Sequence, residues 1–221
     1  MMDPIRLQDV RTNPRVIALV DGANAVMKAM GYTEHGHRHA RVVSKRTRQI
    51  MEGAKLPGRE IELGEIAAYT HDCGCSVNRQ QHAQIGAALI FPVLSDMGMP
   101  PEEIVPILGA IGNHEESVSS LVSPMAAALV IADKSDVHHS RVQNPSPADF
   151  DIHDRVNCAA TSSQIHFRDQ SVLELLLEID QHRASVIEYF EIFLSRMVLC
   201  RKAANVLGFR FSLRVNGTVL E

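Results

Sequence analysis

The chain has 221 residues, of which 45% are hydrophobic and 22% are charged. These are ordinary values for a folded globular protein, so extensive disorder is a poor interpretation. The formal net charge of -4 provides no broad positive field for binding long DNA or RNA. No apolar run approaches the roughly 20 residues of a membrane span, and the N-terminus lacks the apolar segment of a signal peptide. We therefore expect a cytoplasmic protein with neither a long nucleic acid nor a membrane as partner.

Apolar residues at helical spacing predict six helices in the first two thirds of the chain. The first runs from Asn13 to about Met30, and Asn13 and Pro14 suit its beginning. The second carries His39 on its inner face, and the third, within residues 59–72, ends at a His-Asp pair. The remaining three are predicted within residues 80–98, 100–114 and 123–139.

The last third of the chain changes character after a loop rich in Pro, Asp and Asn at residues 143–154. Residues 162–169 predict a short strand, residues 171–208 one long helix, and residues 209–217 a second strand with alternating apolar side chains. The fold class predicted is mainly α, with a small two-stranded β element packed on a long C-terminal helix. We divide the chain into a helical domain, 1–158, and a C-terminal appendage, 159–221. The apolar stripe of the long helix is interpreted as core or as a dimer face, so a homodimer stays open.

Side chains of metal-ligand type fall on or at the ends of five successive apolar helices. In chain order they are His39, His71, Asp72, His82, His114 and Asp133. Imidazole and carboxylate together suit Fe, Mn, Zn, Ni or Co better than Ca or Mg alone, although Mg stays an alternative. The set allows one ion or two, with Asp72 as a bridge. Cys73 and Cys75 follow the His-Asp pair directly, but a structural zinc site normally needs four well-spaced ligands, so none is predicted there.

Five segments resemble, in this order, the HD superfamily of metal-dependent phosphohydrolases. They are HGHRHARVV at 35–43, IAAYTHDCG at 66–74, HAQIGAALI at 82–90, IGNHEE at 111–116 and ADKSD at 132–136. Members with two metals, such as the bacterial HD-type hydrolases of diadenosine tetraphosphate, share the extra histidines. Two-metal relatives often have two adjacent histidines where this chain has Asn113 and His114, which weakens the second metal site.

The resemblance implies an HD helical bundle that hydrolyses a phosphomonoester, phosphodiester or phosphoanhydride of a small, nucleotide-like molecule through a metal-bound hydroxide. His39, His71, Asp72 and Asp133 would hold the first metal, and His82 and His114 would hold a second with Asp72. Further candidates surround these ligands. Lys134, Arg79 and Arg141 are candidate cations for the phosphate, Asp136 and Glu115 for orienting water or relaying a proton, and His35 for contact with substrate.

Two other functions remain open on the same fold. Some HD relatives are oxygen-activating di-iron enzymes, and degenerate HD modules bind nucleotides without catalysis. The intact ligand series argues against the non-catalytic alternative. Bound-metal analysis and the oxygen dependence of the reaction discriminate the di-iron enzyme from a hydrolase.

Overall fold

The computed structural model of the chain describes residues 4–115 and 120–220. Glu116, the last residue of the IGNHEE segment, lies outside the described residues. All six predicted helices are present in the part that is described. They are α2 (Pro14–Ala29), α3 (His37–Gly53), α4 (Gly58–Thr70), α5 (His82–Asp96), α6 (Pro101–Gly112) and α7 (Pro124–Lys134). A short helix that the sequence analysis did not predict, α1 (Leu7–Thr12), precedes them.

Local sequence explains where several helices begin. The Asn13 side chain accepts a hydrogen bond from the Arg15 amide, and Pro14 is the first residue of α2. Ser123 caps α7 in the same way, ahead of Pro124. Pro92 lies inside α5, which continues through it to Asp96.

Helix α7 lies at the centre of the molecule. Every residue from Met125 to Ala132 is buried, because α7 packs against α3, α4, α6 and the C-terminal helix described below. A helix that is apolar on all sides is expected at such a central position. Its C-terminal end therefore delivers Asp133 from the middle of the core.

The C-terminal part differs from the prediction of one long helix between two strands. Residues 152–154, expected in a loop, begin helix α8 (Ile152–Ala159), and strand β1 (Ala160–Arg168) follows it. Residues 172–179, expected to be helical, form strand β2 (Val172–Ile179). The long helix is only its second part, α9 (Val186–Val206), and β3 (Arg210–Val215) and β4 (Thr218–Val219) complete a four-stranded sheet in place of the expected two strands.

The burial of β2 explains the wrong prediction. This strand is antiparallel to β1 and parallel to β3, so it has a neighbour on each side, and most of its residues are buried. Such a strand reads as a continuous apolar run, and periodicity alone does not separate that run from a buried helix. Glu174 is buried in β2 and accepts hydrogen bonds from Ser212 and Arg214 of β3.

One continuous hydrophobic core joins the helices to the sheet. Helix α9 connects β2 to β3 and packs against both α7 and β3. The predicted domain boundary after residue 158 falls inside the last turn of α8, just before β1, and the division into two domains stays a prediction. None of the helices in the described part of the chain has both the length and the apolar character that a membrane crossing needs.

Candidate metal centre

All six predicted metal ligands meet at one place, because helix ends converge there. His39 is in the first turn of α3, and the side chain of Glu34 accepts hydrogen bonds from the amides of Gly36 and His39 at this end. The other ligands lie directly after α4, at the start of α5, just beyond α6 and near the end of α7. In that order they are His71 with Asp72, His82, His114 and Asp133.

The first subsite consists of His39, His71, Asp133 and the Oδ2 atom of Asp72. His39 Nε2 lies 3.4 Å from Asp72 Oδ2 and 3.2 Å from Asp133 Oδ1. His71 Nε2 lies 3.2 Å and 3.7 Å from the same two oxygens. Both histidines are 1% exposed. Each of these imidazole nitrogens therefore lies close to both carboxylates in a buried space.

The second subsite consists of His82, His114 and the Oδ1 atom of Asp72. His82 Nε2 lies 3.4 Å and His114 Nε2 3.8 Å from Asp72 Oδ1, and the two nitrogens are 3.0 Å apart. The two oxygens of Asp72 thus face different histidine pairs. This is the arrangement in which a carboxylate bridges two ions.

Hydrogen bonds fix which ring nitrogen points to the centre. His39 Nδ1 donates to Asp136 Oδ2 at 2.7 Å, His71 Nδ1 to the Ala68 carbonyl at 2.8 Å, and His114 Nδ1 to the Ile111 carbonyl at 2.6 Å. These partners only accept, so each Nδ1 carries the proton. The lone pair of a neutral ring is then on Nε2, as metal-ligating histidines require.

The first subsite leaves polar atoms without protein partners. His39 Nε2 and His71 Nε2 are buried and make no hydrogen bond within the described residues, although carboxylate oxygens face them. Buried polar atoms are nearly always satisfied, so an exception needs an explanation. A bound cation would satisfy both nitrogens and both carboxylates, and these residues could hold a metal ion.

The electrostatics of the metal-free centre are those of coupled opposite charges. Burial lowers the pKa of His71, but Asp72 and Asp133 outweigh burial and raise it to about 10. For His39, burial and Arg141 are likewise outweighed by Asp133, Asp136 and Asp72, and the pKa rises to about 9. The pKa of each of the carboxyls Asp72 and Asp133 lies well below its usual value, because the neighbouring cationic groups outweigh burial.

The second subsite differs because its nitrogens have protein partners. Arg79 Nη1 lies 2.7 Å from His82 Nδ1, so a chain of hydrogen bonds can run from Arg79 through His82 to His114 and the Ile111 carbonyl. His82 Nδ1 also lies 3.0 Å from the Arg79 carbonyl, to which it donates in the other tautomer. Burial lowers the pKa of His82 to about 3, so its ring is neutral. The first subsite therefore needs a cation more than the second.

Three of the predicted accessory residues surround the first subsite. Lys134 Nζ contacts Asp133 Oδ2 at 2.6 Å. Asp136 lies behind His39, where it also accepts a hydrogen bond from Arg38 at 2.5 Å. Arg141 donates to the backbone carbonyls of Glu34 and Asp136. Asp136 therefore orients His39, and its predicted action on water or a proton stays a prediction.

The other accessory residues lie at the two sides of the centre. Glu115 pairs with Arg79 at 3.2 Å, beside the second subsite. His35 is 5.7 Å from the ring of His39, and burial lowers its pKa to about 3. Contact of His35 with a substrate stays a prediction.

A cavity of about 380 Å³ opens onto the centre. Eight of the predicted residues line it, including Asp72, His82 and Asp133 among the ligands and Lys134, Arg79 and Arg141 among the cations. His35 and Asp136 also line it. The cavity lies at the low end of the roughly 300–1,000 Å³ typical of small-molecule sites.

Sequence reasoning missed two parts of the site. The cavity wall includes Asp154 and Asn157 of α8 and Phe193 and Arg196 of α9, and nothing in their sequence pattern pointed to the metal centre. Cys75 was the second omission: its Sγ lies 3.8 Å from Asp72 Oδ1, and it forms a possible metal-binding group with Asp72 and His82. The signal for Cys75 was its place three residues after Asp72.

Comparison of the chain with protein-family models and with curated proteins yields no match in either case.

Proposed function

We propose that the chain is an HD-type, metal-dependent phosphohydrolase that cleaves a phosphate ester or anhydride of a small, nucleotide-like molecule. The observation that carries the proposal is the pair of subsites bridged by Asp72, open to a cavity that cationic side chains line. The ordered segments that resemble the HD superfamily support it, since each supplies a residue of the centre.

The donor set selects the kind of metal. Imidazole nitrogens and carboxylate oxygens suit Fe, Mn, Zn, Ni or Co. His39, His71, Asp72 and Asp133 would hold the first ion, and His82, His114 and Asp72 a second. When bound, such a metal lowers the pKa of coordinated water toward neutrality and supplies hydroxide for attack on phosphorus.

The chain's own residues supply the charge that a phosphate requires. Lys134 places an ammonium group beside the first subsite, and Arg79 and Arg141 add guanidinium groups to the cavity lining. Positive groups aimed at the phosphoryl oxygens offset the charge that gathers there in the transition state, an effect typically worth several kcal/mol. His35 is neutral, so it offers a hydrogen bond and no charge.

The wall contributed by α8 suits the remote end of a substrate. Asp154 and Asn157 are 6% and 4% exposed. The Asp154 carboxylate accepts from Asn144 at 3.4 Å, and Asn157 donates its amide to the His153 carbonyl. Their other side-chain oxygens can accept hydrogen bonds from hydroxyl or amino groups, which a sugar or a base carries. This supports a nucleotide-like substrate.

The proposal is tested with protein stripped by chelator and reloaded with Mn²⁺, Co²⁺, Zn²⁺ or Fe²⁺. Hydrolysis of nucleoside mono-, di- and polyphosphates is followed by chromatography. We expect at least one substrate class to be cleaved and Asp72→Ala to abolish cleavage. Asp96→Ala is the matched control, because Asp96 is an exposed carboxylate paired with Arg15. Equal activity of Asp72→Ala, or no cleavage by any loaded form, would contradict the proposal.

A di-iron oxygenase is the second candidate function, because a carboxylate that bridges two histidine pairs also suits two irons. It is distinguished by running the assay under nitrogen. Cleavage without oxygen supports the hydrolase, and an oxygen-dependent reaction with two irons per chain supports the oxygenase. A chain that binds nucleotides but turns over none of them would be the non-catalytic module.

A further inference from the structure

Asp72 Oδ1 has a third neighbour besides the histidines of the second subsite. Cys75 Sγ lies 3.8 Å from it, while His82 Nε2 lies 3.4 Å and His114 Nε2 3.8 Å away. The donor atoms of Asp72, Cys75 and His82 are all within 4.8 Å of one another. Cys75 is in a 3₁₀ turn, Cys73–Ser76, that directly follows Asp72 and packs against α2 and α5. The backbone of this turn therefore brings the thiol to the subsite.

These separations are close to the edges of a tetrahedron around one metal ion. Bond lengths of about 2.0–2.1 Å to nitrogen or oxygen and about 2.3 Å to sulfur give edges of roughly 3.3 Å between nitrogens and roughly 3.6 Å between sulfur and oxygen. The observed edges are 3.0 Å for His82 to His114 and 3.8 Å for Cys75 to Asp72. Cys75, Asp72 and His82 thus form one group of mutually close donors, and His114 borders this group through His82 and Asp72.

Asn113 does not supply the missing donor. Its side-chain amide donates to the Gly109 carbonyl within α6 at 2.9 Å. Cys73, the other cysteine of the turn, is buried and belongs to the main hydrophobic core, whereas Cys75 belongs to a small separate cluster with Ala23 and Met27 and lies beside Asp72. Asn113 is therefore turned away from the subsite, whereas the thiol of Cys75 borders it.

We propose that Cys75 is a metal ligand of the second subsite, which with His82, His114 and Asp72 takes a thiophilic divalent cation, Zn²⁺ or Co²⁺, ahead of Mg²⁺ or Mn²⁺. Thiolate ligands bind such ions preferentially. Hard ions such as Mg²⁺ and Mn²⁺ prefer oxygen ligands to thiolates. On binding, the thiol proton leaves to solvent as the metal–sulfur bond forms, and no electron is transferred. His82 donates its Nδ1 proton to the Arg79 carbonyl in this state, which leaves Nε2 for the metal. This inference rests on the proposed metal centre and concerns one added ligand.

The test is a Co²⁺ titration of the full chain after chelator treatment, followed by the near-ultraviolet charge-transfer absorption that only a thiolate–cobalt bond produces. We expect the band to appear with the second equivalent in the wild type and in Cys73→Ser, the matched control. Cys75→Ser should lose the band and weaken binding of the second equivalent by roughly tenfold or more, since loss of an outer partner alone costs that much. Cys75→Ala provides a second variant, and circular dichroism checks folding of each.

The outcomes separate this inference from the proposed function. Cobalt binding without the band in the wild type, or a band that persists in Cys75→Ser, overturns the thiolate ligand and leaves the histidine and carboxylate centre standing. Binding of no cobalt by the wild type overturns both. The wild-type spectrum shows whether a thiolate binds the cobalt, even where a variant fails to fold.

Discussion

At the scale of residues, the two subsites differ in what holds their histidines. His39 and His71 turn Nε2 toward carboxylates without making hydrogen bonds, whereas His82 and His114 can complete a chain that begins at Arg79. A hydrogen-bonded network that needs no metal is therefore available to the second subsite, whereas the metal-free first subsite depends on charge pairing between its histidines and carboxylates. We expect the first subsite to bind its ion more tightly.

Replacing Asp136 tests how strongly the first subsite depends on the group behind it. In Asp136→Asn, His39 loses the charged acceptor of its Nδ1 proton, so the ring becomes a weaker base. We expect affinity for the first metal to fall roughly 10- to 100-fold, as for other outer partners. Isothermal titration with Zn²⁺ measures it, with Asp96→Asn as the surface control. Wild-type affinity in Asp136→Asn would show that the contact does not support the ligand.

Metal affinity should depend on pH through the histidines of the first subsite. The pKa values of His39 and His71 are raised to about 9 and about 10 in the metal-free state, so both rings are protonated at pH 7. Binding must displace these protons, and affinity should fall by roughly ten- to a hundredfold per pH unit below 9, for one or two released protons. His82, with its pKa of about 3, is already neutral and releases none.

Calorimetry in two buffers of different ionisation enthalpy counts these protons. We expect a net release of protons at pH 7 when the first equivalent binds. Proton uptake, or binding heats that do not depend on the buffer, would contradict the raised pKa values.

The sequence predicted the six candidate ligands, which the structure brings together, because their residue types, order and helical placement are visible in it. It did not show Cys75 as a neighbour of Asp72 Oδ1, because that contact depends on the path of a short turn. The hydrogen bond from His39 to Asp136 was also hidden, since these residues are far apart along the chain. Contacts of this kind depend on tertiary packing, which periodicity does not report.

At the scale of elements, the approach of the Cys73–Ser76 turn to α5 determines the geometry of the second subsite. A Cβ atom on Gly74 would lie 1.9 Å from the His82 carbonyl oxygen and 2.5 Å from the Gly86 nitrogen. These are backbone atoms and cannot move aside as a side chain would. Only glycine lets the turn lie this close to the helix that carries His82.

Gly74→Ala should therefore separate the turn from α5. We expect a loss of about 1–3 kcal/mol in the free energy of unfolding, the usual cost of overpacking, and weaker binding of the second metal. Gly109→Ala is the matched control, because nothing lies within 4 Å of a Cβ at that helical position. It should stabilise the chain by about 0.5–1 kcal/mol. Urea unfolding measures both, and equal stability of the two variants would contradict the close approach.

The elements themselves were predictable to different degrees. Helices α2 to α7 carry clear apolar periods and recognisable beginnings, and the structure confirms them. Strand β2 was predicted as helix because it lies between two other strands and is mostly buried, so its apolar and polar residues do not alternate. The first residues of α8, 152–154, were assigned to a loop because prolines and aspartates precede them, and no helix was predicted in the rest of α8. The residues of α8 that line the cavity were not predicted for the same reason.

At the scale of the whole molecule, the metal centre concentrates opposed charges inside the helical bundle. Asp72 and Asp133 are only 12% exposed, and the four ligand histidines are buried. The core is continuous from α7 to the sheet. An ion that satisfies these groups therefore stabilises the folded chain.

Removal of metal should lower the melting temperature. An ion present at about 100 times its dissociation constant contributes about 2.7 kcal/mol, which corresponds to roughly 5–10 °C for a chain of this size. Differential scanning calorimetry before and after chelator treatment measures the shift. Re-addition of Zn²⁺ should restore the original melting temperature. A melting temperature that chelator treatment leaves unchanged would contradict stabilisation of the folded chain by a metal ion at this centre.

The most direct test of the account is the metal content of the purified chain at neutral pH, determined by inductively coupled plasma mass spectrometry. We predict at least one tightly bound Fe, Mn, Zn, Ni or Co ion per wild-type chain. Asp72→Ala should lose bound metal, because both subsites share that carboxylate, while Asp96→Ala should retain it. A wild-type chain that binds none of these metals, even after incubation with each of them, would contradict the account.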